Sequence, residues 1–278
     1  MGRVTTPLPP PSPDPRRAPA PPVPDRRSAL RTGARLAAAG ALATACAPGA
    51  PAAPAGHATR SPHTERPAPA APTARAFPGA PGQIDHGPRD RPRVALTFHG
   101  QGDPAYARSI LGTAERAGAK ITVLAVGTWL DQYPDVARRV LDGGHDLGNH
   151  TQHHVAINAM AEKDARAEIQ TCADRLRRLT GSAGTWFRPS RAPRATPLVE
   201  RLAREAGYPH VLSYDVDSLD YTSPGAPAVT RKVIAEARGG SVVSLHFGYA
   251  DTVTAFPALL HELARRGLAA VTTTELLS

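Results

Sequence analysis

Val94-Ala95-Leu96-Thr97-Phe98, a run of branched and aromatic residues, ends at His99-Gly100. A helical pattern over 105–117 follows it, stopped by Gly118, and then a second β-rich run over 121–126. Strand, helix and strand within about thirty residues read as a parallel pair joined by a helical crossover, because parallel strands cannot be linked by a tight turn. Outward from this unit the alternation repeats. Further strands are expected at 145–149, 186–188, 211–214, 241–245 and 269–272, and helices at 134–141, 162–179, 197–206, 228–237 and 256–266. The 162–179 pattern is the clearest, with Ile169, Cys172, Leu176 and Leu179 on one face and Gly181 as its stop. About seven strands with intervening helices predict an α/β fold, a distorted (β/α)7-type barrel. In such a barrel chemistry gathers where the strands end. His99, His150, Arg188, Asp217 and His246 each stand at or just past a strand end.

Before about residue 91 the chain changes character and becomes rich in Pro and Ala. Residues 1–90 hold 11 Arg against 5 acids, whereas the remainder holds 22 basic and 19 acidic residues, so most of the formal +9 lies outside the folded part. A basic groove for nucleic acid is therefore not expected. Asp25-Arg26-Arg27-Ser28-Ala29-Leu30-Arg31, followed by a mild apolar run over 36–45, resembles a twin-arginine export signal. Ala43-Thr44-Ala45 suits ordinary cleavage, and Leu42-Ala43-Thr44-Ala45-Cys46 resembles a lipoprotein box, so Cys46 is either lost with the signal or lipidated as a membrane anchor. The organisation expected is a signal peptide over 1–46, a Pro/Ala-rich disordered linker over 47–90, dispensable for chemistry, and one catalytic domain over 91–278 that acts as a monomer. Cys172, alone in that domain, reads as a small core residue.

His150-Thr151-Gln152-His153-His154 carries the first chemical signal. His150 and His154 are four apart, and one helical turn would place both imidazoles on one side. Neutral imidazole suits zinc and similar metals, although such pairs also occur on surfaces without a metal.

His150-Thr151-x-x-His154 resembles the metal-binding motif of the polysaccharide deacetylases, the NodB-homology family of carbohydrate esterase type. Leu96-Thr97-Phe98-His99-Gly100-Gln101-Gly102-Asp103-Pro104 occupies the place of that family's first motif. Phe187-Arg188-Pro189-Ser190-Arg191 looks like its third, Tyr214-Asp215-Val216-Asp217-Ser218-Leu219-Asp220-Tyr221 like its fourth, and Ser244-Leu245-His246 like its fifth. The order is the family's, and the resemblance spans nearly all of 91–278. It implies a distorted β/α barrel and a divalent metal, most simply Zn2+, that activates water for hydrolysis of N- or O-acetyl groups on a peptidoglycan or chitin-like glycan.

The resemblance also implies roles. His246 would be the general acid, with Asp217 orienting its ring. Arg188 would hold the base carboxylate. A backbone N–H near Arg191 would receive the oxyanion, and Tyr221 with Leu245 would wall the acetyl pocket. Asp215 and Asp220 are expected to satisfy loop N–H groups. The departure is in the first motif, where the family has two adjacent aspartates, a base and a third metal ligand, and this chain has His99-Gly100. Two repairs present themselves. His99 completes a three-histidine site with Asp103 as base, or Asp103 binds the metal and His99 is the base. The first is favoured, because imidazole reaches further than an aspartate side chain. The competing reading is a catalytically inactive glycan-binding module on the same barrel.

Overall fold

The computed structural model describes residues 71–278. The twin-arginine stretch, the cleavage site and Cys46 lie outside the described residues.

The chain opens with a two-residue strand, β1 (Gln83–Ile84), and then the central strand β2 (Arg93–Gly100), which is buried along almost its whole length. A strand enclosed on both faces needs the near-continuous apolar run that Val94 to Phe98 supplies. Next come α1 (Pro104–Arg116), β3 (Thr122–Ala125), α2 (Gly127–Gln132), α3 (Pro134–Asp142) and β4 (Asp146–Asn149). The second half runs α4 (Glu162–Thr180), α5 (Pro197–Glu205), β5 (Val211–Leu212), β6 (Val216–Asp217), α6 (Ala226–Glu236), β7 (Val242–His246), α7 (Ala250–Arg265), β8 (Ala269–Val271) and α8 (Thr273–Leu276). Local chemistry marks several ends. Pro104 stands in the first turn of α1, where its missing N–H costs nothing, and the Asp103 carboxylate caps that helix by accepting from Ala105 N at 2.8 Å. Gly181, at φ 82°, stops α4 as expected.

The ladders between these strands are all parallel: the larger sheet runs β4-β3-β2-β7-β6, with β8 beside the start of β2, and β1 pairs with β5. The fold is α/β with a parallel sheet. The expected barrel is distorted in a specific way. Phe187 makes single bridges to Asn149 at the end of β4 and to Val211 of β5, so the circuit passes there through isolated bridges rather than ladders. β5 and β6 are two halves of one stretch. Its lower half pairs with β1 and its upper half with β7. At the break between them the Asp215 N–H donates to Val242 O at 3.2 Å and its side chain adds to the pairing: its carboxylate accepts from Val242 N at 2.8 Å, from Ser241 Oγ at 3.1 Å and from Arg89 Nη2 at 2.8 Å.

The main core lies between the sheet and its helices. Phe98 stacks on Phe247 at 5.0 Å and meets Phe256 edge-on at 5.4 Å, geometries that aromatic quadrupoles favour. Cys172 is buried in this core. Leu245 is buried there too, among residues of α6 and α7, so it does not wall a pocket as expected. The reason is strand alternation: on β7, Ser244 and His246 face one way, and Val243 and Leu245 face the other.

The expected boundary at 90/91 is also corrected. Phe77 stacks on Trp186 at 5.5 Å, its N–H donates to His210 Nε2 at 2.9 Å, and Ser182 Oγ donates to Pro72 O at 2.7 Å. Phe77, Ile84, Trp186, Leu212 and Leu276 share one apolar cluster. From Ala71 onward the chain is therefore part of the domain. Phe77 and Ile84 supply the apolar side chains that the Pro/Ala composition around them conceals.

Candidate metal centre and cleft

The register of β2 and β7 sets His99 directly beside His246. The ring centroids of His99 and His150 are 4.3 Å apart, those of His99 and His246 4.3 Å, and those of His150 and His154 4.9 Å. One ring nitrogen each from His99, His150 and His154 lies within 4.8 Å of the other two. The end of β2 and the loop after β4 thus deliver the three imidazoles, as the barrel rule anticipates.

The loop after β4 does this without the helical turn expected from the four-residue spacing. Thr151 and His154 both have positive φ, 69° and 55°. These unfavourable conformations are held by surrounding bonds. Asn149 Oδ1 accepts from Thr151 N at 2.9 Å, and Thr151 Oγ1 donates to Ser190 Oγ at 3.0 Å. The buried Glu168 on α4 accepts from His153 N at 2.8 Å and from His153 Nδ1 at 2.6 Å. His153 thereby points away from the triad.

The electrostatics suit a cation. Burial, and then the neighbouring His150, hold the His99 imidazole well below the usual histidine range. Burial, and then His154, do the same for His150, and burial lowers His154 to about 4. All three rings are neutral at ordinary pH and offer lone pairs. His150 is the most telling. Its Nδ1–H donates to the Arg188 carbonyl at 3.0 Å, which leaves Nε2 as an acceptor, and that buried Nε2 has no partner. A backbone carbonyl on the far nitrogen is the usual way to fix a ligating histidine. The donor set fits a divalent transition metal.

Several expected roles move. His246 pairs with Asp220, not Asp217. Its Nδ1 donates to Asp220 Oδ1 at 2.7 Å, its N–H donates to Oδ2 at 2.8 Å, and Thr252 Oγ1 also donates to Oδ2, at 2.6 Å. Asp220 is fully buried, and its position one turn beyond β6 carries it back under the ring. Asp217 stays on β6 with Oδ1 accepting from Leu219 N at 3.0 Å, and it faces the cleft. Arg188 holds no carboxylate. Its Nε donates to Leu212 O at 3.1 Å and its Nη2 to Ser213 O at 2.8 Å, while Nη1 is buried without a partner; burial lowers its pKa to about 10.

Asp103 is not among the groups the structure draws to the triad, because its carboxylate caps α1. Gly100 cannot supply the missing acid either. A Cβ there would meet Ala125 Cα at 3.0 Å, Val123 Cγ1 at 3.1 Å and Trp129 Cζ3 at 3.2 Å, so the space is already filled.

These groups open on a cleft of about 550 Å3 lined by His99, His154, His246, Arg191, Tyr221 and Asp217, among others. Asp217 is the one acid lining it among the described residues. Arg191 has φ 54°, and the Tyr221 ring meets His246 edge-on at 5.4 Å. Tyr249, at 5.9 Å on another side of that imidazole, was not foreseen.

Residues 86–211 match the family model described as Polysaccharide deacetylase. The chain is 30% identical over 194 residues to a peptidoglycan-N-acetylglucosamine deacetylase of Bacillus cereus, covering 68% of this chain and 90% of that one. It is 28% identical over 159 residues to a chitooligosaccharide deacetylase of Sinorhizobium fredii, covering 56% and 73%. Among solved structures it superposes on a CE4 family pseudoenzyme from Bacillus anthracis with a TM-score of 0.68 at 22% identity, covering 72% of this chain and 70% of that one. A mutant of that pseudoenzyme is described as having restored enzymatic activity.

Proposed function

Because this chain belongs to the polysaccharide deacetylase family, we propose that it is an exported, zinc-dependent hydrolase that removes acetyl groups from N-acetylglucosamine-type units of peptidoglycan or a chitin-like glycan. The observation that carries this reading is the convergence of His99, His150 and His154 beside the His246–Asp220 couple. A divalent metal held by the three imidazoles supplies positive charge that polarises a carbonyl and acidifies water. The chain's own groups do the rest. Asp217 takes a proton from the attacking water, in place of the Asp103 assigned from sequence. The water oxygen bonds to the acetyl carbon, and the C–N bond breaks. His246 Nε2 delivers its proton to the departing amine, so that acetate and a free amine leave. Asp220 on Nδ1 fixes the ring with Nε2 outward. The Arg191 N–H faces the developing oxyanion, and Tyr221 walls the pocket.

The leader and its twin arginines support export to the cell envelope, with Cys46 as an optional lipid anchor. A second reading, a glycan-binding module without turnover, is favoured by one feature, Gly100 in place of an aspartate, and by the likeness to a pseudoenzyme. One experiment separates the two. The zinc-loaded protein is given acetylated chitin oligomers and peptidoglycan, and acetate is measured. Stoichiometric metal with acetate release supports the hydrolase. Bound metal and bound glycan with no acetate released establish the binding module.

A further inference from the structure

At the end of the sheet opposite the mouth, β2 and β8 begin and α1 and α7 finish. The chain places cations there that carboxylates do not neutralise. Lys120 Nζ donates to Gly143 O at 2.6 Å, Arg116 Nη2 to Thr113 Oγ1 at 2.9 Å, Arg93 Nη1 to Glu275 O at 3.4 Å, and Arg266 Nη1 to Ile234 O. Each holds a neutral oxygen and has no carboxylate partner among the described residues. The flank formed by α4 and α5 is the opposite case, with Arg166, Arg201 and Arg204 paired to Glu162, Glu205 and Glu200. Beside Arg116 and Lys120 runs a groove of about 650 Å3 between α1 and α7, within the roughly 300–1,000 Å3 that ligand pockets occupy. Leu260, Leu263 and Leu268 line it, and Glu275 is the one acid in its lining among the described residues. Pro72 also lies at this end, with Lys120 and Glu275 around an adjoining hollow. Residues 1–70 therefore join the domain on the side away from the triad.

An apolar floor with cations at its rim is complementary to an amphiphile with an anionic head. We propose that this closed end docks on a membrane leaflet by binding an anionic phospholipid, with the phosphate against Arg116 and Lys120 and an acyl chain along Leu260, Leu263 and Leu268. Arg93 and Arg266 add attraction to the surrounding headgroups. A soluble polyanion would satisfy the cations but leave the groove wet, so a lipid is the better fit. The segment that joins the domain at this end carries Cys46. A single acyl chain on a protein holds it to a membrane only marginally, and a basic surface supplies the second contact. Docked in this way, the mouth points away from the membrane. The proposal does not depend on the hydrolase reading.

The test uses the full chain, with sedimentation on vesicles of phosphatidylglycerol in phosphatidylcholine and on vesicles of phosphatidylcholine alone. Binding is expected on the anionic vesicles and not on the neutral ones. Partitioning should fall about thirtyfold in Arg116→Gln/Lys120→Gln, the effect of two cations at an anionic surface. It should fall several-fold in Ala264→Gln, an exposed position of α7 where an uncharged amide obstructs the groove. Arg166→Gln/Arg201→Gln removes the same charge from the paired flank and should stay within about twofold. If Arg116→Gln/Lys120→Gln does not fold, Ala264→Gln carries the test. Equal losses in the two double variants overturn the proposal, as does binding to neutral vesicles as tight as to anionic ones. Displacement from the vesicles by soluble poly(glycerol phosphate) at equal phosphate, with Ala264→Gln behaving as the parent, makes the partner a hydrophilic polyanion and also overturns it. Acetate release is a separate readout, and its absence removes the hydrolase reading while the docking site stands.

Discussion

His145 and His150 flank the two ends of β4, and both are buried imidazoles whose Nε2 has no hydrogen-bond partner. Their settings differ in tautomer and in company. His145 Nδ1 accepts from Ile121 N at 3.2 Å, so its proton sits on Nε2, 3.6 Å from Glu115 Oε1. His150 donates from Nδ1, so its Nε2 is a bare lone pair, and two more imidazoles meet it there. The first arrangement can only donate, and the second can only accept. An orphaned ring nitrogen is therefore not a metal site in itself; it becomes one when the other nitrogen is already a donor and further lone pairs converge.

The sharpest way to break this contrast is to remove each ring in turn. His150→Ala should lose the bound metal outright, and acetate release with it, whereas His145→Ala should keep about one equivalent by elemental analysis. Equal metal loss in both would sink the distinction. The next effect concerns the acids around the mouth. Asp217→Asn should retain metal but lower kcat about a hundredfold, while Asp103→Asn should change it only a few-fold, since asparagine also caps a helix. The opposite ranking returns the base to Asp103.

At the closed end, Phe77→Ala should cost about 3 kcal/mol in denaturant unfolding, in the range for burying and then deleting an aromatic side chain. A chain begun at Pro88 should be destabilised likewise, and undiminished stability of both would mean that this segment does not contribute to the fold.

The smallest effect is in pH dependence. Burial, and then the Lys120 ammonium, lower His145 to about 4. Its folded pKa lies below the unfolded value near 6.5, so falling pH protonates the unfolded chain first. The stability contributed is full above about 6.5 and declines towards pH 4, with about 2 kcal/mol lost by pH 4.5. Urea unfolding of the parent and of His145→Gln at pH 7 and 4.5 should show the parent losing more; parallel losses would refute the assignment.

Much of this was legible in the chain. Apolar runs broken by helical periodicity marked the strands, and the polar residue after each run marked the mouth, because a parallel barrel leaves little else there to be polar. His99, His150 and His154 come together because β2 and β4 end at the same mouth. What escaped was of two physical kinds. Side-chain pairing over a short turn is decided by where the turn points: Asp217 and Asp220 stand three residues apart as candidates for His246, and the irregular turn at Leu219, φ 55°, brings Asp220 to the ring. Burial of the 71–90 segment was hidden by composition, since two residues, Phe77 and Ile84, do the packing among many prolines and alanines. The missed α2 is six residues long, too short for periodicity to announce.

The barrel is a hoop with two unsewn places, the isolated bridges at Phe187 and the break between β5 and β6. Elsewhere neighbouring strands are sewn together by ladders, but at the break the Asp215 carboxylate and its N–H fasten the overlap to β7. Asp217 lies just past that break, His150 lies just past the bridge at Asn149, and His99 is mounted on the sewn part. Thermal loosening of the hoop would therefore shift Asp217 and His150 against His99, while Asp220 stays tied to His246, and the slack at the break is set by the grip of Asp215, which does not line the cleft.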